Sequence, residues 1–328
     1  MAEWQGRTVL VTGGEGFIGS TLVERLVREG AEVRALVHYN PFGRAGWLDP
    51  EVHAEVAVLP GDVRDAERVF TAVEGCDVVF HLAALIGIPY SYIAPESYVQ
   101  GNVTGTHNVA RACLRAGVCR MVHTSTSETY GTARRVPIAE DHPLQPQSPY
   151  SASKIGGDMM ALSFFHAFQL PVAVVRPFNT YGPRQSTRAV IPTILSQLHA
   201  GASEIALGST SPTRDFNYVD DTVAGFLAVA GCERAVGDVV NIGSGREISI
   251  GDLVALLVDI TGGKARIVTD PERLRPPGSE VERLLCDNSR AREWAGWAPE
   301  VSLEEGLART SAWVAEHRHA LDTGGYAV

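Results

Sequence analysis

The stretch RTVLVTGGEGFIGS, residues 7–20, decides the fold. Its first half, RTVLVTG, is a short β-branched run of the kind that forms a buried strand. Its second half places Gly13, Gly16 and Gly19 three apart, just before the helical pattern of residues 18–29. Gly13 permits a tight turn, Gly16 lets the backbone approach a pyrophosphate, and Gly19 allows close helix–strand packing. The helix N-terminus then offers free N–H groups and the positive end of a dipole to an anion. Glycines at this spacing can also mark a turn without a ligand. As the first βα unit of an alternating chain, they point to a dinucleotide.

Outward from this turn the alternation continues. AEVRALVH (31–38), AEVAVLPGDVRD (54–65), CDVVFHLAA (76–84), CRMVHTST (119–126) and PVAVVRPFN (171–179) read as further strands, with helix-like sequence between them. Short β-branched runs alternating with amphipathic helices predict an α/β fold: a Rossmann-type, doubly wound parallel sheet covered on both faces. After Asn179 the rhythm breaks into Pro-, Gly- and Arg-rich sequence, with helices expected near 191–200, 251–261 and 303–317. Residues 1–180 are therefore assigned to a dinucleotide-binding domain. Residues 181–328 are assigned mostly to a smaller α/β substrate domain, with a return strand near 237–245. The tail LDTGGYAV is expected to fray.

Composition bounds the function. The 328 residues are 45% hydrophobic and 20% charged, an ordinary globular balance. A net charge of −10 argues against a nucleic-acid surface, though a few placed arginines suffice for an anionic small ligand. The five cysteines are scattered and lack CxxC spacing, so buried thiols are expected rather than disulfides or a metal site. The chain starts polar, and no apolar run reaches the roughly 18 residues needed to span a bilayer. No leader and no membrane association are expected, and the protein is read as cytoplasmic.

Asp62, after the third strand, is either an acceptor for an adenine amino group or a solvated turn residue. The end of the second strand reads ALVHYN, with Val37 and His38 and no carboxylate to hold a ribose. That absence leans towards NADP over NAD; Arg44, nearby, is of a type ordinarily solvated in a loop. SPYSASK sets Tyr150 and Lys154 four apart at the start of a helix, on one face. An ammonium beside a phenol favours the phenolate, lowering its pKa from about 10. Such a group could take a proton from a sugar hydroxyl while the carbon gives up hydride. Y-x-x-x-K alone is common; joined to the glycine turn and to HTSTSETYG (123–131), it becomes specific.

Together, TGGEGFIG, HLAA, the hydroxyl cluster, YSASK, RPFNTYGPRQ and RDFNYVDD resemble the extended short-chain dehydrogenases/reductases that act on nucleotide sugars. The resemblance runs in order along nearly the whole chain. AALIGIPYSYIAPESY, RPFNTYGPRQSTRAVIPT and SPTRDFNYVDDT are similar to 4,6-dehydratases of amino-sugar pathways, such as the GDP-N-acetylglucosamine dehydratases of legionaminic acid synthesis. The resemblance implies that Tyr150 and Lys154 form the catalytic pair and that Thr126 hydrogen-bonds the sugar O4. It implies a bound, recycled NAD or NADP against Gly13, Gly16, Phe17, Ile18, Gly19, His38, Asp62, Val63, Leu82, Ala83, Ala84, Tyr150, Lys154 and Pro177. Asn179 and Arg214 would hold the substrate pyrophosphate with help from Arg275, and Arg188 and Val190 would line the same site. No metal is implied. Family members dimerise through two helices packed as a four-helix bundle, here 95–116 and 150–169.

Glu128 separates the reactions such a site runs. Epimerases of the family usually lack a carboxylate there, and many 4,6-dehydratases carry Asp-Glu. Ser127-Glu128 departs from that pair and resembles GDP-mannose dehydratases and the decarboxylases that make UDP-xylose. Once C4 is a ketone, the C5 hydrogen is acidic enough for Glu128 to remove; the C6 hydroxyl leaves, and hydride returns at C6. Ser127 is a poor acid for the departing water. The bland alternative leaves Glu128 facing solvent or capping the next segment. The expected activity is a nucleotide-sugar 4,6-dehydratase; a C4 epimerase, a decarboxylase and a non-catalytic dinucleotide sensor are the rivals. Bland readings cover the rest: His317 and His319 solvated, His81 packed near the cofactor, Asp220-Asp221 capping a helix over 222–230. Of Arg176, Arg184, Arg188, Arg273 and Arg283, some are expected to face the anionic nucleotide.

Overall fold

The computed structural model describes residues 4–39, 46–48 and 50–318. Arg44, His319 and the tail LDTGGYAV lie outside them. Seven strands form one sheet: β1 (Thr8–Thr12), β2 (Glu32–His38), β3 (Ala57–Gly61), β4 (Val78–His81), β5 (Arg120–Thr124), β6 (Val172–Pro177) and, after three strands of smaller sheets, a late arrival. Those three are β7 (Asn179–Tyr181), β8 (Glu204–Leu207) and β9 (Thr213–Tyr218); the late arrival is β10 (Val239–Ile242). The order is β3-β2-β1-β4-β5-β6-β10 and every pair is parallel. This is the doubly wound α/β fold that the alternation predicts.

Side-chain alternation builds its two cores. Val9, Val11, Phe80 and Val122 face one layer, with Leu22 of helix Phe17–Arg28 and Phe226 of helix Val219–Ala230. Leu10, Val79 and Met121 face the other, with Val69, Val109 and Ala161 from helices Ala66–Val73, Gly105–Ala116 and Pro149–Phe168. Connections leave β1 and β4 in opposite directions, so a crevice opens at their carboxyl ends, where such folds bind ligands. A third core joins β8, β9 and helices Val190–His199, Ile250–Thr261 and Leu303–Glu316. Here β9 pairs with β7 and with β11 (Glu247–Ser249), and β8 pairs with β12 (Arg266–Thr269).

Several local expectations need correction. The third strand stops at Gly61 because Asp65 turns the chain, accepting from the amides of Glu67 and Arg68 to cap the next helix. The helix expected over 95–116 is composite: Pro95–Tyr98, a wide π turn Val99–Thr104, then Gly105–Ala116. Asp220 and Asp221 fall inside the first turn of helix Val219–Ala230 instead of before it. Asp221 instead accepts from the amides of Glu300 and Val301, tying down the segment that precedes the final helix. Cys119 is exposed, while Cys76, Cys113, Cys232 and Cys286 are buried. His317 stacks on Trp313, with ring centroids 4.3 Å apart.

Candidate active site

The glycine turn leaves β1 with little room to spare. Gly13 takes φ +71°, and a Cβ there would sit 3.0 Å from the Ala83 amide nitrogen. A Cβ on Gly19 would lie 2.0 Å from the Gly13 carbonyl oxygen. The helix that begins at Phe17 has neither a side-chain cap nor an acidic residue in its first turn. Its first amides, those of Phe17 and Ile18 among them, therefore remain available to a phosphate. Thr12 fixes the facing wall: its Oγ1 accepts from the amides of Leu82 and Ala83, 3.1 Å each, just ahead of Ala84. This cradle fits a dinucleotide pyrophosphate. At its adenine end Asp62 is held by Arg64, and the His38 ring lies 3.9 Å from the Asp62 carboxylate. Arg64 holds the Asp62 carboxyl below its ordinary value, against a smaller opposing effect of burial. Val63 packs against Gly105, and Pro177 is buried at the end of β6.

Beyond β5 the chain reaches the hydroxyl cluster. Thr126 is extended and caps the short 3-10 turn Ser127–Tyr130, accepting from the Glu128 amide at 3.3 Å. Ser127 and Glu128 are both buried, 2% and 9% exposed, so the solvent-facing reading of Glu128 does not hold. Among the described residues no side chain donates a hydrogen bond to the Glu128 carboxylate. Its neighbours are charged or polar: Arg214 of β9 and the Tyr150 phenol both feel its field.

Ser148 caps helix Pro149–Phe168 in a reciprocal box with Ser151. That start presents Tyr150 and, one turn on, Lys154 to the cleft. Tyr150 is influenced by the neighbouring Thr126 hydroxyl and lies edge-on to Tyr98, with ring centroids 6.2 Å apart. The expected pairing of phenol and ammonium is not what the protein alone shows. Burial pushes the Tyr150 phenol above its ordinary value, Glu128 adding to the rise and Thr126 opposing it. Lys154 instead donates to the Thr124 carbonyl at 2.6 Å, and burial pushes it down to about 8.

The sequence reading missed what stands behind Lys154. Asp158, one further turn along the same face, is fully buried and accepts from Ser125 Oγ (2.6 Å), Arg176 Nη2 (2.7 Å) and His123 Nε2 (3.2 Å). Burial opposes its ionisation, but Arg176 and these hydrogen bonds hold the carboxyl far below its usual range. His81 bridges Thr12 and Thr106. Burial, His123 and Lys154 push its imidazole well down. The spacing 150, 154, 158 was the available signal. Arg176 thus serves this network rather than a nucleotide, its guanidinium also lying 4.6 Å from the Tyr130 ring centre.

The remaining arginines sort by position. Arg214 and Arg275 both pair with Glu280, at 3.2 and 3.6 Å, and Asn179, opposite Phe216 in the β7–β9 pair, has a buried Oδ1 without a partner among the described residues. Burial pushes Arg214 below its ordinary value, with Glu128 opposing. Arg188 is exposed, ahead of Val190 at the helix start, and its charge is felt at Tyr98. Arg184 pairs with Glu24, Arg283 with Glu247 and Arg273 with Asp270. The described residues hold no cluster of His, Cys, Asp and Glu fit for a metal. No described helix is long and apolar enough to cross a membrane.

Comparison with known proteins agrees with this arrangement. A family model described as GDP-mannose 4,6 dehydratase matches residues 10–310. A dTDP-glucose 4,6-dehydratase of Streptomyces griseus is 37% identical over 322 residues, covering 94% of each chain. A UDP-glucose 4-epimerase of Mycolicibacterium smegmatis is 36% identical over 307 residues, 92% of this chain and 96% of that one. The structure of a dTDP-glucose 4,6-dehydratase from Streptomyces venezuelae, solved with NAD bound, superposes with a TM-score of 0.84 at 31% identity. That match covers 96% of this chain and 99% of that one. The chain belongs to the GDP-mannose 4,6-dehydratase family and is an enzyme of the extended short-chain dehydrogenase/reductase group.

Proposed function

We propose that this protein is a nucleotide-sugar 4,6-dehydratase that converts an NDP-hexose or N-acetylhexosamine into its 4-keto-6-deoxy form. One observation carries the choice over an epimerase: a buried Glu128 whose carboxylate has no hydrogen-bond donor among the described residues and whose charge is felt at Tyr150. A buried side chain whose carboxylate has no hydrogen-bond donor among the described residues, next to the Tyr150 phenol, is free to take a proton from a substrate carbon. A nicotinamide dinucleotide in the glycine cradle supplies the acceptor for the C4 hydride and its return. Tyr150 takes the O4 proton, with Thr126 holding the sugar hydroxyl and Lys154 orienting the pair. Glu128 takes the C5 proton and passes it to the C6 hydroxyl, which leaves as water on the Ser127 side; once hydride returns at C6, C5 regains a proton from solvent. Asn179, Arg214 and Arg275 hold the diphosphate, with Arg188 and Val190 at its edge. Residues 181–328, apart from the segments that return to the sheet, supply this substrate side. The finer resemblance favours a GDP-linked amino sugar, and the helices 95–116 and 150–169 a homodimer.

Turnover in heavy water tests the reaction. Incubated with UDP-, GDP-, CDP- and dTDP-sugars, the enzyme should give a product one water lighter that carries deuterium at C5. A product of unchanged mass without label means epimerisation, and loss of carbon dioxide means decarboxylation. Glu128→Gln should lower elimination by about 10²–10⁴-fold, the usual worth of a positioned base. Elimination by that variant at near the normal rate would show Glu128 to be a bystander.

A further inference from the structure

Glu15 is the charged residue of the glycine turn itself, and among the described residues neither helix capping nor an ion pair accounts for it. Its carboxylate reaches across to the end of β2, where Oε1 accepts from the His38 backbone amide at 2.6 Å. Oε2 is buried and has no hydrogen-bond partner. The backbone gives the residue little latitude. Its carbonyl accepts from the Trp47 amide at 3.0 Å, and a Cβ on Gly46 would lie 2.3 Å from that oxygen. On the other side, a Cβ on Gly14 would meet Ala35 of β2 at 2.8 Å.

A buried carboxylate oxygen left without a donor is costly. Persisting in a built loop, it marks a place where a donor is expected to arrive. In doubly wound folds, the end of the second strand is where the adenosine ribose lies, and a carboxylate there accepts from its hydroxyls. The second strand of this chain ends in His38 and supplies none. The glycine turn delivers one to the same spot from a different position in the sequence. Among the described residues, the other charged groups nearby include Asp62 and Arg64, which satisfy each other, and the His38 imidazole 3.9 Å from Asp62.

We propose that Glu15 is the ribose acceptor and selects NAD over NADP; this rests on the dinucleotide-binding reading of the glycine turn. A 2′-hydroxyl can donate to Glu15 Oε2. A 2′-phosphate brings negative charge and no donor, and like charges so placed are strongly disfavoured.

Calorimetric titration of the purified full-length protein, freed of copurified nucleotide, tests this without reference to turnover. The wild type should bind NAD at least about a hundredfold more tightly than NADP. Glu15→Ala should weaken NAD by about ten- to hundredfold, the worth of charged hydrogen bonds, and leave NADP no weaker. Glu15→Gln keeps an acceptor without the charge and should narrow the preference. Wild-type affinities within tenfold of each other, or full NAD affinity in both variants, would overturn the assignment. Binding of neither dinucleotide by the wild type would instead bring down the parent reading and this one with it. Wild-type affinities within tenfold overturn the assignment even if a variant fails to fold, and the second variant carries the attribution to Glu15.

Discussion

Replacing Asp158 with Asn leaves its shape nearly unchanged and removes one negative charge from the interior. The carboxylate accepts three side-chain hydrogen bonds and faces Arg176, which is 2% exposed. Without it the Arg176 guanidinium becomes a buried cation lacking its counter-charge. Breaking a buried pair in this way costs about 3–5 kcal/mol. At roughly 2 °C per kcal/mol for a chain of this length, the melting temperature should fall by roughly 6–10 °C. The Arg135–Asp141 pair is the control, with side chains 55% and 73% exposed. Asp141→Asn should change stability by no more than about 0.5 kcal/mol. Asp158 also raises the Lys154 pKa, so its loss should push that ammonium below about 8. Differential scanning calorimetry of both variants at pH 7 is the assay. A drop in Asp158→Asn no larger than in Asp141→Asn would refute the paired network.

Lys154 itself makes stability depend on pH. With a folded value of about 8 against 10.5 unfolded, the unfolded chain binds more protons between these limits. Stability of the dinucleotide-free protein should therefore rise with pH across that window, by on the order of 3 kcal/mol, compared with Lys154→Met in denaturant titrations. A parallel pH course in the two proteins would count against a buried ammonium. Gly19→Ala drives a methyl into the Gly13 carbonyl, 2.0 Å away, and should abolish dinucleotide retention while leaving a folded circular-dichroism spectrum. Retention at the normal level would mean that the turn yields more than its geometry allows. Val99, Met159 and Phe168 are exposed on the helices assigned to the dimer face, Met159 at 47%. Met159→Glu should halve the mass measured by light scattering from twice 35.2 kDa, and a wild type that is already monomeric would end the dimer proposal.

The fold was legible because its signals are local. Short β-branched runs and the three spaced glycines fix strand, turn and helix within a few residues of each other. Tyr150 and Lys154 were legible for the same reason, being one helical turn apart. Asp158 was on the same face and was passed over, because an aspartate in a helix looks solvated until its partners are known. Those partners are His123 in β5, Ser125 just after it and Arg176 in β6, and their convergence is a property of strand order. Glu15 is the opposite case. The sequence showed no carboxylate at the end of β2, and the inference towards NADP followed; only the folded turn reveals that a carboxylate reaches that place from 23 residues earlier. Burial, which no sequence displays, is the largest influence on the Tyr150 phenol in the protein alone and raises it.

The π turn at Val99–Thr104 sets a constraint on how this chain can change. Each backbone bond there spans one residue more than in an α-helix. The segments on either side are thus out of phase by about 100° relative to an unbroken helix. That offset lets Asn102 point inward, where it holds Leu85 by both its amide and its carbonyl and also reaches Ser153. It leaves Tyr98 against Tyr150. Deleting a single residue here would regularise the helix, and helix propensity alone would favour it. The same deletion would swing one end of the element around its axis, taking either Tyr98 or the outer apolar residues away from their places. Chain length in this segment is therefore held fixed by geometry at both ends, even where individual side chains are free to drift.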